Sequence, residues 1–246
     1  MMTKPVLHFK IRRLHRWLGV LIGIQFLAWT LGGLYFSWSD MDEVHGDYEK
    51  APAPLLSASA DYASPTALLD SLLLRESVDS LAELRLVSIL GSPHWLAAYF
   101  PKGHERHHKK LQLADAMTGS LRPPLTQEEA VAVAKAGYAG KGEIQSVENL
   151  TETNLHHEYR DQPLPAYAVH FSDERHSTVY VSAETGMVQK IRNRPWRRFD
   201  FLWMLHTMDY RSRDHITNWL LRAFSVFGLL TVASGFMLFF LSWQRK

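Results

Sequence analysis

Apolar side chains are concentrated near the two ends of this chain, and the polar ones lie between them. No charge interrupts residues 17–39, between Arg16 and Asp40, or residues 223–244, between Arg222 and Arg245. At ~1.5 Å per helical residue each run covers roughly 33 Å, enough to cross the hydrocarbon core of a bilayer. The pattern predicts two membrane-spanning helices with one large domain between them. Trp17 and Trp38 edge the first run, and Trp219 and Trp243 mark the second, as expected of indole rings at headgroup level.

Charge placement then sets an expected orientation. Lys4, Lys10, Arg12, Arg13 and Arg16 precede the first run without an acid, whereas Asp40, Asp42, Glu43, Asp47 and Glu49 follow it against Lys50. The positive-inside bias places the N-terminus in the cytoplasm and the central domain outside. Two spans return the C-terminus to the inside, in keeping with Arg245 and Lys246. Arg192, Arg194, Arg197, Arg198, Arg211, Arg213 and Arg222 point the other way, but long translocated loops obey the rule poorly and the first helix usually dominates. The first run is too long for the apolar core of a cleaved signal peptide, and no small-residue cleavage site follows it closely. The expected location is a bacterial inner membrane, with both termini cytoplasmic and the central domain periplasmic.

Between the runs one pattern occurs twice. Ser64-Pro65 and the apolar positions through Leu74 predict a helix, followed by strands at Leu84–Leu90, Trp95–Phe100 and Lys110–Ala116 and the turn Met117-Thr118-Gly119. Thr126-Gln-Glu-Glu129 is a capping-box pattern opening a helix over Ala130–Ala136. Strands at Ile144–Glu148, Ala166–Phe171 and Thr178–Ser182 follow, then Glu184-Thr185-Gly186. Each copy carries a charged tip before its last strand, at 102–109 and 172–177. The expectation is an α+β fold: a helix on a three-stranded antiparallel meander, duplicated, with Pro123-Pro124 at the seam. A unit of ~60 residues buries little alone, so the two should share a core or a continuous sheet. The implied organisation is a basic segment over 1–16, a span over 17–39, outer repeats over 40–124 and 125–195, an amphipathic juxtamembrane segment over 196–214, and a second span within 215–244.

The helix-to-turn pattern from Leu125-Thr-Gln-Glu-Glu-Ala-Val-Ala-Val-Ala-Lys135 through Val179-Tyr-Val-Ser-Ala-Glu-Thr-Gly-Met-Val188 resembles a PepSY domain. The ends resemble the PepSY-associated transmembrane family, through Arg13-Leu14-His15-Arg16-Trp17-Leu18-Gly19 and through Leu205-His206 with the later Ser234-Gly235-Phe236-Met237-Leu238. Larger members have about four spans where this chain has two, and often show Thr-Gly where this chain has Thr207-Met208. The resemblance implies a membrane protein with a periplasmic binding domain, and for some relatives a haem-bearing reductase acting in iron acquisition.

Chemistry has few carriers. There is no cysteine, which excludes thiol chemistry, thiolate metal sites and covalently attached haem. The net charge of +2 is modest, and the basic residues beside the spans suit anionic lipid better than nucleic acid. No nucleophile elbow, zinc-protease, phosphate-loop or dinucleotide motif is present.

Thirteen histidines remain. His104, His107 and His108 at one tip, His156 and His157 in a polar stretch, and His176 at the other tip read mainly as solvated turns. His15 lies at the mouth of the first span. His206 lies in an aromatic stretch where a helix would align Phe199, Leu202, Trp203, His206 and Tyr210 on one face. An imidazole at membrane depth is costly unless paired or ligating, and b-type haem takes such imidazoles as axial iron ligands. His15 and His206 are the expected iron ligands, with His215 behind them, and Arg197, Arg198, Arg211 and Arg213 are expected partners for the propionates.

His15 and His206 face opposite sides, so one haem cannot use both; a two-fold dimer would pair each with its mate. Gly19-x-x-x-Gly23 would permit close helix approach, within the chain or between copies. Two readings follow. One is a dimeric or partnered cytochrome-like protein, a ferric reductase component if enzymatic, passing electrons outward to a ferric complex or periplasmic acceptor. The other is a membrane-anchored module binding a periplasmic protein or peptide with no cofactor. Transport by the chain alone is not expected.

Overall fold

A Ser-Pro step and a capping box each open a helix ahead of a run of strands, and the domain grows from these two local starts. The computed structural model describes residues 4–103 and 109–243, with backbone alone for 4–8. The chain divides into two compact units, Met41–Trp196 and a helical unit made of the segments on either side of it.

In Met41–Trp196, α2 (Met41–His45) and a 3-10 turn precede α3 (Pro65–Arg75), β1 (Val78–Ile89), β2 (Ser92–Pro101), β3 (Lys110–Asp115) and β4 (Leu121–Arg122). The same order follows in α4 (Gln127–Gly137), β5 (Ile144–Leu150), β6 (Ala166–Phe171), β7 (Thr178–Ser182) and β8 (Val188–Arg192). Ser64 caps α3 by accepting from the Thr66 N–H, with Pro65 in the first turn. Thr126 and Glu129 satisfy each other's backbone N–H groups at the start of α4.

Each meander has four strands rather than the expected three, in the orders β1-β2-β3-β4 and β5-β6-β7-β8, all antiparallel. The extra strand follows the Thr-Gly turn. Gly119 (φ 73°) and Gly186 (φ 70°) take the left-handed conformation, which reverses the chain onto the preceding strand and which glycine adopts without penalty.

The sheets are separate rather than continuous, but they share a core. Val87, Ile89, Leu96 and Leu113 of the first sheet pack with Ala130, Val133 and Ala134 of α4 and with Val169, Phe171, Val179, Val181 and Ile191 of the second. On the opposite face of the first sheet, Ala97 and Ala114 are small enough to admit Leu68 of α3. The period-two alternation between Leu96 and Ala97, and between Leu113 and Ala114, is what separates these two faces. The far face of the second sheet is covered by the loop over 151–165, where buried Tyr159 stacks on Tyr180 at 5.0 Å.

A buried polar network closes this unit near its ends. Glu49, 6 % exposed, accepts from Arg175 Nη1 at 2.9 Å and from Asn193 Nδ2 at 3.2 Å. Arg175 also reaches Glu43 at 2.8 Å. Asn193, fully buried, donates to the Glu43 carbonyl and accepts from the Trp196 N–H.

The second unit contains α1 (Lys4–Trp38), α5 (Arg194–Thr207, entering from the first unit) and α6 (Trp219–Trp243). Residues Phe9–Trp38 and Trp219–Trp243 are each long and apolar enough to cross a membrane. The described part of the basic segment expected over 1–16 is helical from Lys4 and continuous with the apolar run. His15 meets Ser234 and Gly235 while Phe26 meets Gly228, so α1 and α6 run antiparallel.

Candidate functional site

His206 and an aromatic cluster of the helical unit gather where α5 ends against α1. Phe199, Trp203 and His206 form a stacked ladder on one face of α5, with successive ring planes 14° and 12° apart. Phe36 of α1 lies against all three, at 4.7, 6.0 and 5.8 Å between ring centres, and Trp29 lies 6.2 Å from His206. The aromatic stripe expected from the sequence is thus present as far as His206. Tyr210 does not belong to it, because the helix stops at Thr207. Met208 there takes a left-handed φ of 54°, the conformation at which helices commonly end.

Helix ends leave their last carbonyls without intrahelical partners, and here side chains supply them. Gln25 Nε2 donates to the Leu205 carbonyl, Trp29 Nε1 to that of His206 and Asn218 Nδ2 to that of Thr207, each at 2.8 Å. Gln25 thus reaches across from α1 to α5. Thr30, Ser225, Thr231 and Ser234 do bond carbonyls of their own helices.

Trp29, Trp203, His206, Thr207, Ile216, Leu221 and Ser225 line a cleft of about 400 Å³. Within this wall His206 Nδ1 is buried and has no hydrogen-bond partner among the described residues. An unmade hydrogen bond of this kind costs ~1–3 kcal/mol.

His15 is positioned differently. Its Nδ1 lies 2.8 Å from Ser234 Oγ, whose single proton goes to the Thr231 carbonyl at 2.7 Å. Ser234 must therefore accept, which assigns the proton to Nδ1 and leaves Nε2 with a free lone pair. Gly235 makes the room: a Cβ there would meet the His15 ring at 3.3 Å. An outer hydrogen bond on one ring nitrogen is the usual support for an imidazole that ligates through the other. Trp29, beside His206, is about 21 Å along α1 from His15 at ~1.5 Å per residue, so the two imidazoles occupy different levels.

His215 does not line the cleft. It is exposed, and its Nδ1 contacts Ser212 Oγ at 2.6 Å. Ser212 in turn donates to Asp209, whose carboxylate also accepts the N–H groups of Arg211, Ser212 and His215. Burial disfavours ionised Asp209, but these donors outweigh it and hold the carboxyl well below the usual carboxylate range. Of the expected propionate partners, Arg213 is engaged by Asp200, Arg198 is exposed and Arg197 half-buried.

The depressed Asp209 value makes a pH dependence explicit. A carboxyl with a lowered folded-state pKa adds stability above its unfolded value, about 4, and loses it as pH falls through the folded one. The melting temperature of the detergent-solubilised protein is expected to fall below about pH 4, and less steeply in Asp209→Asn. An equal slope in that variant would remove Asp209 from the account.

Among the described residues no three His, Asp or Glu side chains converge as a metal-holding group. His104, His107 and His108 lie outside the described residues. His157 Nδ1 accepts the Tyr159 N–H at 3.0 Å, the His156 N–H donates to Asn154, and His176 occupies a left-handed turn position. Compared with known protein families, curated proteins and solved structures, the chain matches none.

Proposed function

We propose that the chain is a two-span bacterial inner-membrane protein that displays Met41–Trp196 outside as a PepSY-like binding module and holds b-type haem on imidazoles of its helical unit. The buried, unpaired Nδ1 of His206 in an aromatic cleft is the observation that carries the haem reading. His206 and His15 would supply iron-ligating nitrogens at separate levels, with Arg197 and Arg198 near enough in sequence to His206 to serve propionates. Haem would supply one-electron transfer; the protein's residues fix imidazole orientation and exclude water with Trp29, Phe36 and Trp203.

A single chain offers one such imidazole at each level, so the reading requires a second copy or a partner subunit. The face for it is open. A Cβ added at Gly19 or Gly23 meets nothing within 4 Å, whereas Gly228 and Gly235 are occupied by Phe26 and His15. The small-residue pattern is therefore unused between α1 and α6 and is free for another helix.

Purification in mild detergent from haem-replete cells, followed by a visible spectrum, tests the proposal. The expected result is a Soret band that shifts on dithionite reduction and is lost in His206→Ala, with His15→Ala removing a separate component. A folded, colourless protein would overturn the haem reading. It would leave the anchored binding module, which the open edge of β1 favours: residues 79–83 are exposed and β1 has one sheet neighbour, a geometry suited to adding a peptide strand.

A further inference from the structure

The Met41–Trp196 unit has a polar cavity that neither reading above uses. It measures about 260 Å³ and is lined by His45, Gly46, Asp47, Lys50, Gln189, Lys190, Ile191 and Arg192. Three cationic side chains, Lys50, Lys190 and Arg192, and the His45 imidazole meet there against a single carboxylate, Asp47.

The three cations are held in different ways. Arg192 stacks on the Trp196 ring at 4.0 Å and donates from Nε to the Glu158 carbonyl at 3.2 Å, which fixes the direction of its guanidinium. Lys190 stands on β8, half-buried, with no hydrogen bond or salt bridge to a described residue. Lys50 makes a solvent-exposed contact with Asp47 at 3.6 Å, of a kind that is worth little. The floor is set by Gly46: its left-handed φ of 75° turns the chain, and a Cβ there would lie 3.1 Å from Ile191.

From this geometry we infer that the cavity is a binding site for a phosphate-type oxyanion, recognised by Lys190, Arg192 and Lys50 together. Both a free phosphate and the headgroup of an anionic lipid carry this chemistry. Burial first, and then the charges of Arg192 and Lys50, hold Lys190 below the ordinary lysine range; a bound anion relieves the repulsion. A forked guanidinium beside two ammonium groups matches the several oxygens of a phosphate better than a neutral ligand. The site does not depend on the haem reading, since it lies wholly within the other unit.

The test uses the full chain in detergent, titrated with inorganic phosphate against chloride at matched ionic strength, with binding read by calorimetry. Saturable binding is expected, weakened at least tenfold in Lys190→Gln and unchanged in Lys141→Gln, whose lysine is exposed elsewhere. If Lys190→Gln fails to fold, Lys50→Gln is expected to weaken binding severalfold. A second arm compares nanodiscs of phosphatidylcholine with nanodiscs also containing phosphatidylglycerol. Loss of phosphate binding in the anionic discs identifies the headgroup as the natural source, and retained binding identifies the free anion. No saturable phosphate binding with no lipid effect, or unaltered binding in the folded lysine variants, would overturn the proposal.

Discussion

Arg175→Ala is expected to destabilise the Met41–Trp196 unit by about 3 kcal/mol, lowering its melting temperature by roughly 6–12 °C. The reason is Glu49 rather than the arginine itself. Glu49 is 6 % exposed, and Arg175 is the one cation among the described residues that reaches it. Removing one partner of a buried pair leaves a desolvated charge, which costs ~3–5 kcal/mol when both partners are enclosed. The Arg175 side chain is 43 % exposed, so the lower end applies. Asn193 Nδ2 remains as a donor to Glu49 but cannot neutralise it.

A companion variant separates charge from packing. Glu49→Gln in the Arg175→Ala background removes the uncompensated charge and is expected to recover more than half of the loss. Thermal melts of the full chain in detergent, followed by tyrosine and tryptophan fluorescence, provide the measurement. A loss under ~1 kcal/mol in the single variant, ordinary for a surface ion pair, would mean that Glu49 is solvated or otherwise paired.

What the sequence made legible was local. The bounds of α3, β6 and β7 follow from runs whose signals lie within a few residues: Ser64-Pro65, the largely apolar run Ala166–Phe171, and the β-branched stretch beginning at Thr178. The Thr126–Glu129 box placed the start of α4 for the same reason. By contrast, β1 begins at Val78, before the expected Leu84, because Asp79–Glu83 is exposed throughout, Leu81 and Ala82 included, and carries no buried face to betray a strand. The two-residue β4 is defined only by its pairing with β3.

The site divides along the same line. The ladder Phe199, Trp203, His206 is a helical repeat and could be read directly. The partner of His15 could not: Ser234 lies 219 residues away, and only antiparallel packing of α1 on α6 brings them together. Lys190, Lys50 and Arg192 were scattered charges until β8 and the turn after α2 met. Long-range polar pairing follows from the fold and has no periodic trace in the chain.

Gln25 shows the same lesson and gives the other large effect. On the proposed reading, α1 crosses lipid, and Gln25 and Trp29 lie well inside its apolar run. There, water is not at hand for the carbonyls that end α5, and each unsatisfied group is expensive. Gln25→Leu keeps much of the side-chain volume and deletes the donor to Leu205; Trp29→Phe keeps an aromatic ring and deletes the donor to His206. Each is expected to cost ~1–3 kcal/mol. The double variant should cost at least about 3 kcal/mol, because the two carbonyls are adjacent and fraying of the last turn of α5 would release both. That turn carries His206, so the double variant is also expected to lose the Soret band while Met41–Trp196 keeps its fold. Thr30→Val is the control. Its hydroxyl bonds Phe26 of its own helix at an exposed position, and the change should stay within ~0.5 kcal/mol. Melts and spectra of the four proteins in one detergent decide the matter. If Gln25→Leu is as stable as Thr30→Val, the Leu205 carbonyl has another donor, and the cross-helix cap is not what ends α5.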